Sequence, residues 1–263
     1  MRVSLSPLPT TSLSRGSLSV ETLLVLGVSL GASAIWSVLS LLRKLSAAQT
    51  LSAQTTAINT SVTPDRPWLD LAYQLAGIAI ALVPVLLALH LLGRELGTAT
   101  SAARRVGFDG SQLGGDVGRG AALAAIIGIP GIGLYLAARA LGVNTTVSTA
   151  NLVDAWWAVP ILILAALQNA VLEEVIMVGY LFTRWGQAGY PVLAIIVVSA
   201  LIRGTYHLYQ GFGGFVGNVA MGLLLGLVYA RTRRVMPLVI AHTLLDVVAF
   251  VGYRELAPLL DWL

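Results

Sequence analysis

Residues 153–182 read VDAWWAVPILILAALQNAVLEEVIMVGYLF, a helical stretch that is predominantly apolar beyond Asp154 yet carries an adjacent pair of acids, Glu173 and Glu174, in its interior. A charge held at membrane depth costs roughly 2.5–3.5 kcal/mol on insertion scales. The same conflict recurs downstream, with His207 in Arg203-Gly-Thr-Tyr-His207 and with His242 and Asp246 in Ala241-His-Thr-Leu-Leu-Asp246. Ionisable groups in three apolar segments read as one buried site.

The whole composition agrees with this class. The chain of 263 residues is 57% hydrophobic and only 11% charged, with a mean hydropathy of +0.83, whereas a soluble domain carries about 25% charged residues. The expected fold is all-α, a polytopic transmembrane helix bundle. A net charge of +4 does not indicate nucleic acid, because the arginines lie in short connectors between apolar runs rather than on one basic face with interleaved aromatics. The absence of cysteine excludes disulfides and thiolate metal sites.

Working outward from the acidic stretch, the first 19 residues read as a polar tail rich in Ser, Thr and Pro. The apolar run Thr22 to Leu42 is longer than the roughly 7–15-residue apolar core of a cleaved signal peptide, so it reads as a retained first span. Leu69 to Leu92, containing Pro84, and Ala121 to Leu141, containing Pro130, follow. The stretch from Val153, then Val192 to Tyr209, Phe215 to Tyr229 and Met236 to Tyr253 complete a count of about seven, or eight if the long stretch breaks. This divides the chain into a tail (1–19), three N-terminal spans with polar linkers (20–152), a helix bundle that carries the buried ionisable residues (153–253) and a C-terminal tail (254–263).

The connectors Lys44 to Arg66 and Gly93 to Arg119 read as mobile loops or surface helices. Arg94, Arg104, Arg105 and Arg119 in the second linker, with the Arg231-Thr-Arg-Arg234 turn, predict a cytoplasmic side, and Gly142 to Leu152, without Lys or Arg, predicts the outer one. The protein is thus expected to be a multi-pass protein of the cell membrane with its N-terminus cytoplasmic. Gly222-Leu-Leu-Leu-Gly226 is a small-xxx-small pattern that suits close helix packing. His90 and the pair Trp156-Trp157 read as interfacial; Asn218 could face the site or bond another helix, and Tyr206, Tyr209 and Gln210 could line an entrance.

Adjacent glutamates point about 100 degrees apart on a helix, so both can border one cavity but they do not face one atom. His242 and Asp246, four residues apart, share a face. A carboxyl in apolar surroundings is suited to take a proton from water near neutral pH, His207 could orient that water, and His242 with Asp246 would lie where negative charge develops on a carbonyl oxygen. That is the inventory of a peptide hydrolase without a covalent nucleophile. Glu173, His207 and His242 could alternatively hold a divalent metal such as zinc, whose catalytic sites often use two His and one Glu.

At these positions the chain resembles the intramembrane CAAX-protease and bacteriocin-processing family, also called CPBP or Abi. Its pattern is Glu-Glu-x-x-x-Arg on one helix, Phe-x-x-x-His on the next and His-x-x-x-Asn or Asp on a later one. Glu173 and Glu174 match the first element, His207 the second, and His242 with Asp246 the third, across about residues 155 to 252. The resemblance implies a membrane endopeptidase acting on a membrane-associated protein or peptide, which could carry a lipid. It assigns water activation to Glu173 and His207 with support from Glu174, and oxyanion stabilisation to His242 and Asp246.

Two positions depart from the pattern: Val178 stands for the family Arg and Arg203 for the family Phe. One reading moves the counter-charge to the neighbouring helix, with Arg203 pairing a site carboxylate; the other has Arg203 snorkelling to the interface. Asp246 cannot donate when ionised, so it is expected to orient His242. A topological tension accompanies these readings, since His207 falls near the outer end of its span whereas His242 lies only seven residues from the start of its own. The competing function classes are a proton-coupled transporter and a non-catalytic scaffold or bacteriocin-immunity protein.

Overall fold

The computed structural model describes residues 11–256, so the first ten positions of the expected N-terminal tail and the last seven of the C-terminal tail lie outside the described residues. Helix α1 (Arg15–Gly27) begins inside the expected tail, with the Ser14 hydroxyl accepting from the Ser17 N–H at its start. It is followed by α2 (Leu30–Leu45), and the two meet at 55°, so the expected straight first span is bent. The cause is local. The Ser29 hydroxyl bonds back to the Val25 carbonyl at 2.6 Å, and a Cβ on Gly31 would stand 2.7 Å from the Leu26 carbonyl oxygen.

Helices α3 (Pro67–Ala81) and α4 (Val83–Leu96) run on from one another as a single long apolar segment through Pro84. The short α5 (Ala99–Arg105) occupies the second linker, and α6 (Leu113–Ala140) contains Pro130. Next come α7 (Ala158–Glu174), a π-helical turn over Val175–Tyr180, and α8 (Leu181–Gln187), which together form one uninterrupted span. Helices α9 (Val192–Tyr206), α10 (Phe212–Thr232) and α11 (Met236–Leu256) complete the bundle.

Among the described residues, five helices are long and apolar enough to cross a membrane, six with the bent α1–α2 pair, and α9 is a shorter apolar helix. This is a multi-pass helical membrane bundle. The anticipated count of about seven corresponds to these six plus α9, and no eighth arises because 158–187 does not break. That span is 61% buried, against 11% for α6, which identifies α7–α8 as the central helix and α6 as a peripheral one whose Ile126, Ile129 and Ile132 face outward.

The packing explains several sequence signals. Gly222 and Gly226 serve the bundle itself, since a Cβ on Gly222 would approach Ala200 Cα to 2.8 Å and one on Gly226 would meet Ile196 and Phe182. Trp156 and Trp157 part company: Trp156 is exposed beside Trp68, whereas Trp157 is in the core. Asn218 donates to the Gly214 carbonyl of its own helix. His90 is exposed.

The linkers are more ordered than expected. In the first, β1 (Thr55–Ala57) pairs in parallel with β2 (Thr146–Ser148) of the loop after α6, in the register Thr55 to Thr146. Three-residue strands far apart in sequence leave no readable alternation. In the second linker, Val106 and Gly107 accept backbone hydrogen bonds from Val235 and Met236, and Arg234 grips Asp116 at 2.6 Å and Asp109 at 3.2 Å. The two arginine-bearing connectors are therefore in contact.

Candidate active site

Glu173 and Glu174 end α7 immediately before the π-helical turn, a feature that frequently sits at functional sites. A π turn disrupts the regular ladder, and here the Ser199 hydroxyl on α9 donates to the Met177 carbonyl at 2.8 Å. This stitches α7–α8 to α9, the helix that brings Arg203, Tyr206 and His207 to the acidic pair.

Arg203 is buried, so it does not snorkel. Its Nη1 lies 3.1 Å from Glu173 Oε2 and its Nη2 2.8 Å from Glu174 Oε1. One guanidinium therefore bridges both carboxylates, although the two glutamates diverge on their helix. The Tyr206 hydroxyl donates to the same Glu173 Oε2 at 2.7 Å. Glu173 is thus not a carboxyl in plain apolar surroundings; its charge is paired and hydrogen-bonded, the condition under which a buried carboxylate is tolerated.

With Oε2 engaged, Glu173 Oε1 faces His207 Nε2 at 3.9 Å. His207 Nε2 is buried and has no hydrogen-bond partner among the described residues. On the other side of the imidazole, the Gln210 amide nitrogen lies 3.5 Å from Nδ1, and the Tyr209 ring stacks at 6.2 Å.

From α11, His242 Nδ1 meets Glu174 Oε1 at 2.8 Å, while its Nε2 is 3.7 Å from Asp246 Oδ1. The partner that orients His242 is Glu174; Asp246, anticipated for that task, stands too far for a direct hydrogen bond. Asn169, one turn before Glu173, lies near the Asp246 carboxyl. The five expected residues and Arg203 thus converge in one cluster, and the topological tension dissolves because α9 is short and delivers His207 from its end.

Sequence reasoning missed the roles of Tyr206 and Asn169. The available signals were periodic: Tyr206 follows Arg203 by three residues and Asn169 precedes Glu173 by four, so each shares a face with a recognised site residue.

The expected metal ligands were Glu173, His207 and His242. The donors that actually approach one another within 4.8 Å are Glu173, Glu174 and His242, with Glu174 in place of His207. Their chemistry suits a divalent ion, but the arrangement does not. A permanent guanidinium already sits 2.8 and 3.1 Å from the two carboxylates, and a second cation beside it would meet like charge. His242 Nδ1 is also committed directly to Glu174.

Residues 155–248 match the family model described as Rce1-like, type II CAAX prenyl endopeptidase. No curated protein and no solved structure matches the chain. Every member of the cluster described above falls inside the matched segment.

Proposed function

Because residues 155–248 form a domain of the Rce1-like CAAX prenyl endopeptidase family, we propose that this protein is an intramembrane peptide hydrolase in which Glu173 and His207 activate water. The observation that carries the reading is the pair of facing atoms, Glu173 Oε1 and His207 Nε2, 3.9 Å apart within a buried cluster. A polar separation of this size is one that a bridging water spans.

In this mechanism Glu173 Oε1 takes a proton from the water as its oxygen attacks the peptide carbonyl carbon. Arg203 and Tyr206, both on Oε2, hold the carboxylate in position. Glu174 accepts from His242 Nδ1–H; with His242 as the imidazolium, its second N–H, at Nε2, faces the carbonyl oxygen and offsets the developing negative charge. Glu173 then returns its proton to the leaving amine as the carbon–nitrogen bond breaks. Asp246 borders the same ring atom of His242, with Oδ1 3.7 Å from Nε2.

The substrate class is a membrane-associated protein or peptide that could carry a lipid. We place the catalytic bundle at residues 153–253 and the N-terminus on the cytoplasmic side of the cell membrane. Against proton-coupled transport, the ionisable groups pair with one another in a compact cluster rather than line a path along the bundle.

Quantifying new protein termini in membranes of cells expressing wild type, Glu173→Gln or His207→Ala at matched levels tests this. Termini present with wild type and lost in both variants are expected. Identical termini in all three at full coverage of the membrane proteome would reject hydrolysis.

A further inference from the structure

The single turn Leu208–Gln210 that follows His207 is held largely from outside the matched segment. Lys44, at the end of α2, donates through Nζ to the Tyr209 carbonyl at 2.6 Å and to the Thr56 hydroxyl on β1. Thr56 Oγ1 in turn lies 3.2 Å from the Tyr209 carbonyl oxygen and 2.7 Å from Thr145 Oγ1. The N–H and the hydroxyl of Thr145 each reach the Gln210 carbonyl at 2.9 Å. The Tyr209 N–H donates to the Ser37 hydroxyl at 2.7 Å.

The turn also ends on a tight contact with the loop that carries Thr145. Gly211 has φ +116°, and a Cβ there would stand 2.7 Å from Asn144 Cα. Its neighbour Phe212 donates its N–H to the Val143 carbonyl at 2.9 Å.

Lys44 is buried, and among the described residues its ammonium is met by a hydroxyl and a carbonyl rather than a carboxylate. Burying a lysine charge this way carries a penalty of several kcal/mol, so its placement calls for a function. The side chains of the clamped turn supply one. Tyr209 stacks on the His207 ring, and the Gln210 amide approaches Nδ1. A donor at Nδ1 favours the imidazole tautomer with its hydrogen on Nε2, the atom that faces Glu173.

We propose that Lys44 is a positioning residue: with Thr56 and Thr145 it locks the 208–210 turn, and through that turn it sets the orientation and tautomer of His207. The N-terminal helices and the β1–β2 pair thereby complete a site whose chemistry lies in another part of the chain. The proposal rests on the reading of His207 as a catalytic group.

The chain has three histidines, so ring-15N-labelled full-length protein in lipid nanodiscs yields a small set of signals, assigned with His90→Gln and His207→Gln. Lys44→Met and Thr56→Val should each abolish the single-tautomer signature of His207, collapsing the difference between its two ring-nitrogen shifts, while His242 is unchanged. Thr56→Ser, which keeps the hydroxyl, should retain the wild-type spectrum. Unchanged His207 signals in folded Lys44→Met and Thr56→Val, a joint shift of all three histidines, or a Thr56→Ser spectrum like that of Thr56→Val would overturn the clamp. If Lys44→Met does not accumulate folded, Thr56→Val alone decides. The readout is a tautomer and not turnover: an intact His207 response with no new termini would sink proteolysis and leave the clamp, and the opposite pattern would sink the clamp alone.

Discussion

Replacing Arg203 with methionine keeps the length of the apolar stem and removes the guanidinium that bridges Glu173 and Glu174. The side chains of the three residues are 1%, 11% and 0% exposed, so water does little to compensate the two carboxylates left behind. Breaking a buried ion pair by deleting one partner costs about 3–5 kcal/mol, a large share of the roughly 5–15 kcal/mol by which a folded domain is stable. For a chain of this size each kcal/mol shifts the melting temperature by about 2–4 °C, so the midpoint should fall by roughly 6–20 °C. Thermal unfolding in nanodiscs, followed by tryptophan fluorescence, measures this directly. Arg203→Met combined with Glu174→Gln removes one stranded charge as well and should recover part of the loss, the non-additivity expected of groups in direct contact. A shift below about 2 °C for the single variant, which corresponds to at most about 1 kcal/mol, would refute the bridging role. So would a strictly additive double variant.

Other expectations follow from the same geometry. Val178→Arg combined with Arg203→Phe, which restores the residue types of the family pattern, should retain more of the wild-type termini than Arg203→Phe alone; an equally complete loss counts against a relocated counter-charge. Glu174→Gln should reduce those termini more than Asp246→Asn, because Glu174 meets His242 at 2.8 Å and Asp246 only at 3.7 Å; the reverse order would reassign the partner of His242. In the second linker, hydrogen bonds from Ser111 and then Arg234 hold the Asp109 carboxyl below the usual carboxylate range. A depressed folded-state value contributes stability above the unfolded pKa of about 3.9 and loses it as pH falls through the folded value. Wild type should therefore exceed Asp109→Asn in melting temperature at neutral pH, with the gap closing as pH drops below about 4; a gap that does not depend on pH would be inconsistent with this linkage. Gly211→Ala should destabilise by about 1–3 kcal/mol, since it forces a side chain into a left-handed backbone position against Asn144, and an unchanged unfolding midpoint would show that the turn can relax.

Membrane class, the approximate number of spans and the order of the motif residues were legible in the amino-acid sequence, because hydropathy is local and a buried charge stands out against twenty apolar neighbours. Glu173, Glu174, His207, His242 and Asp246 were all found that way. Even the replacement of Phe by Arg203 pointed to a moved counter-charge. What the sequence left open was which group meets which. Arg203 could pair or snorkel, His242 could take Asp246 or Glu174, and a bend at Ser29, a π turn after Glu174 or a pairing of Thr55 with Thr146 leaves no periodic trace. Each of these depends on distances between segments far apart in the chain. A hydrogen bond forms or fails within about half an ångström, and that margin is set only when the helices pack. Tertiary structure alone therefore decided that one guanidinium bridges both glutamates, and that Lys44, more than 160 positions before the turn it holds, belongs to the neighbourhood of His207.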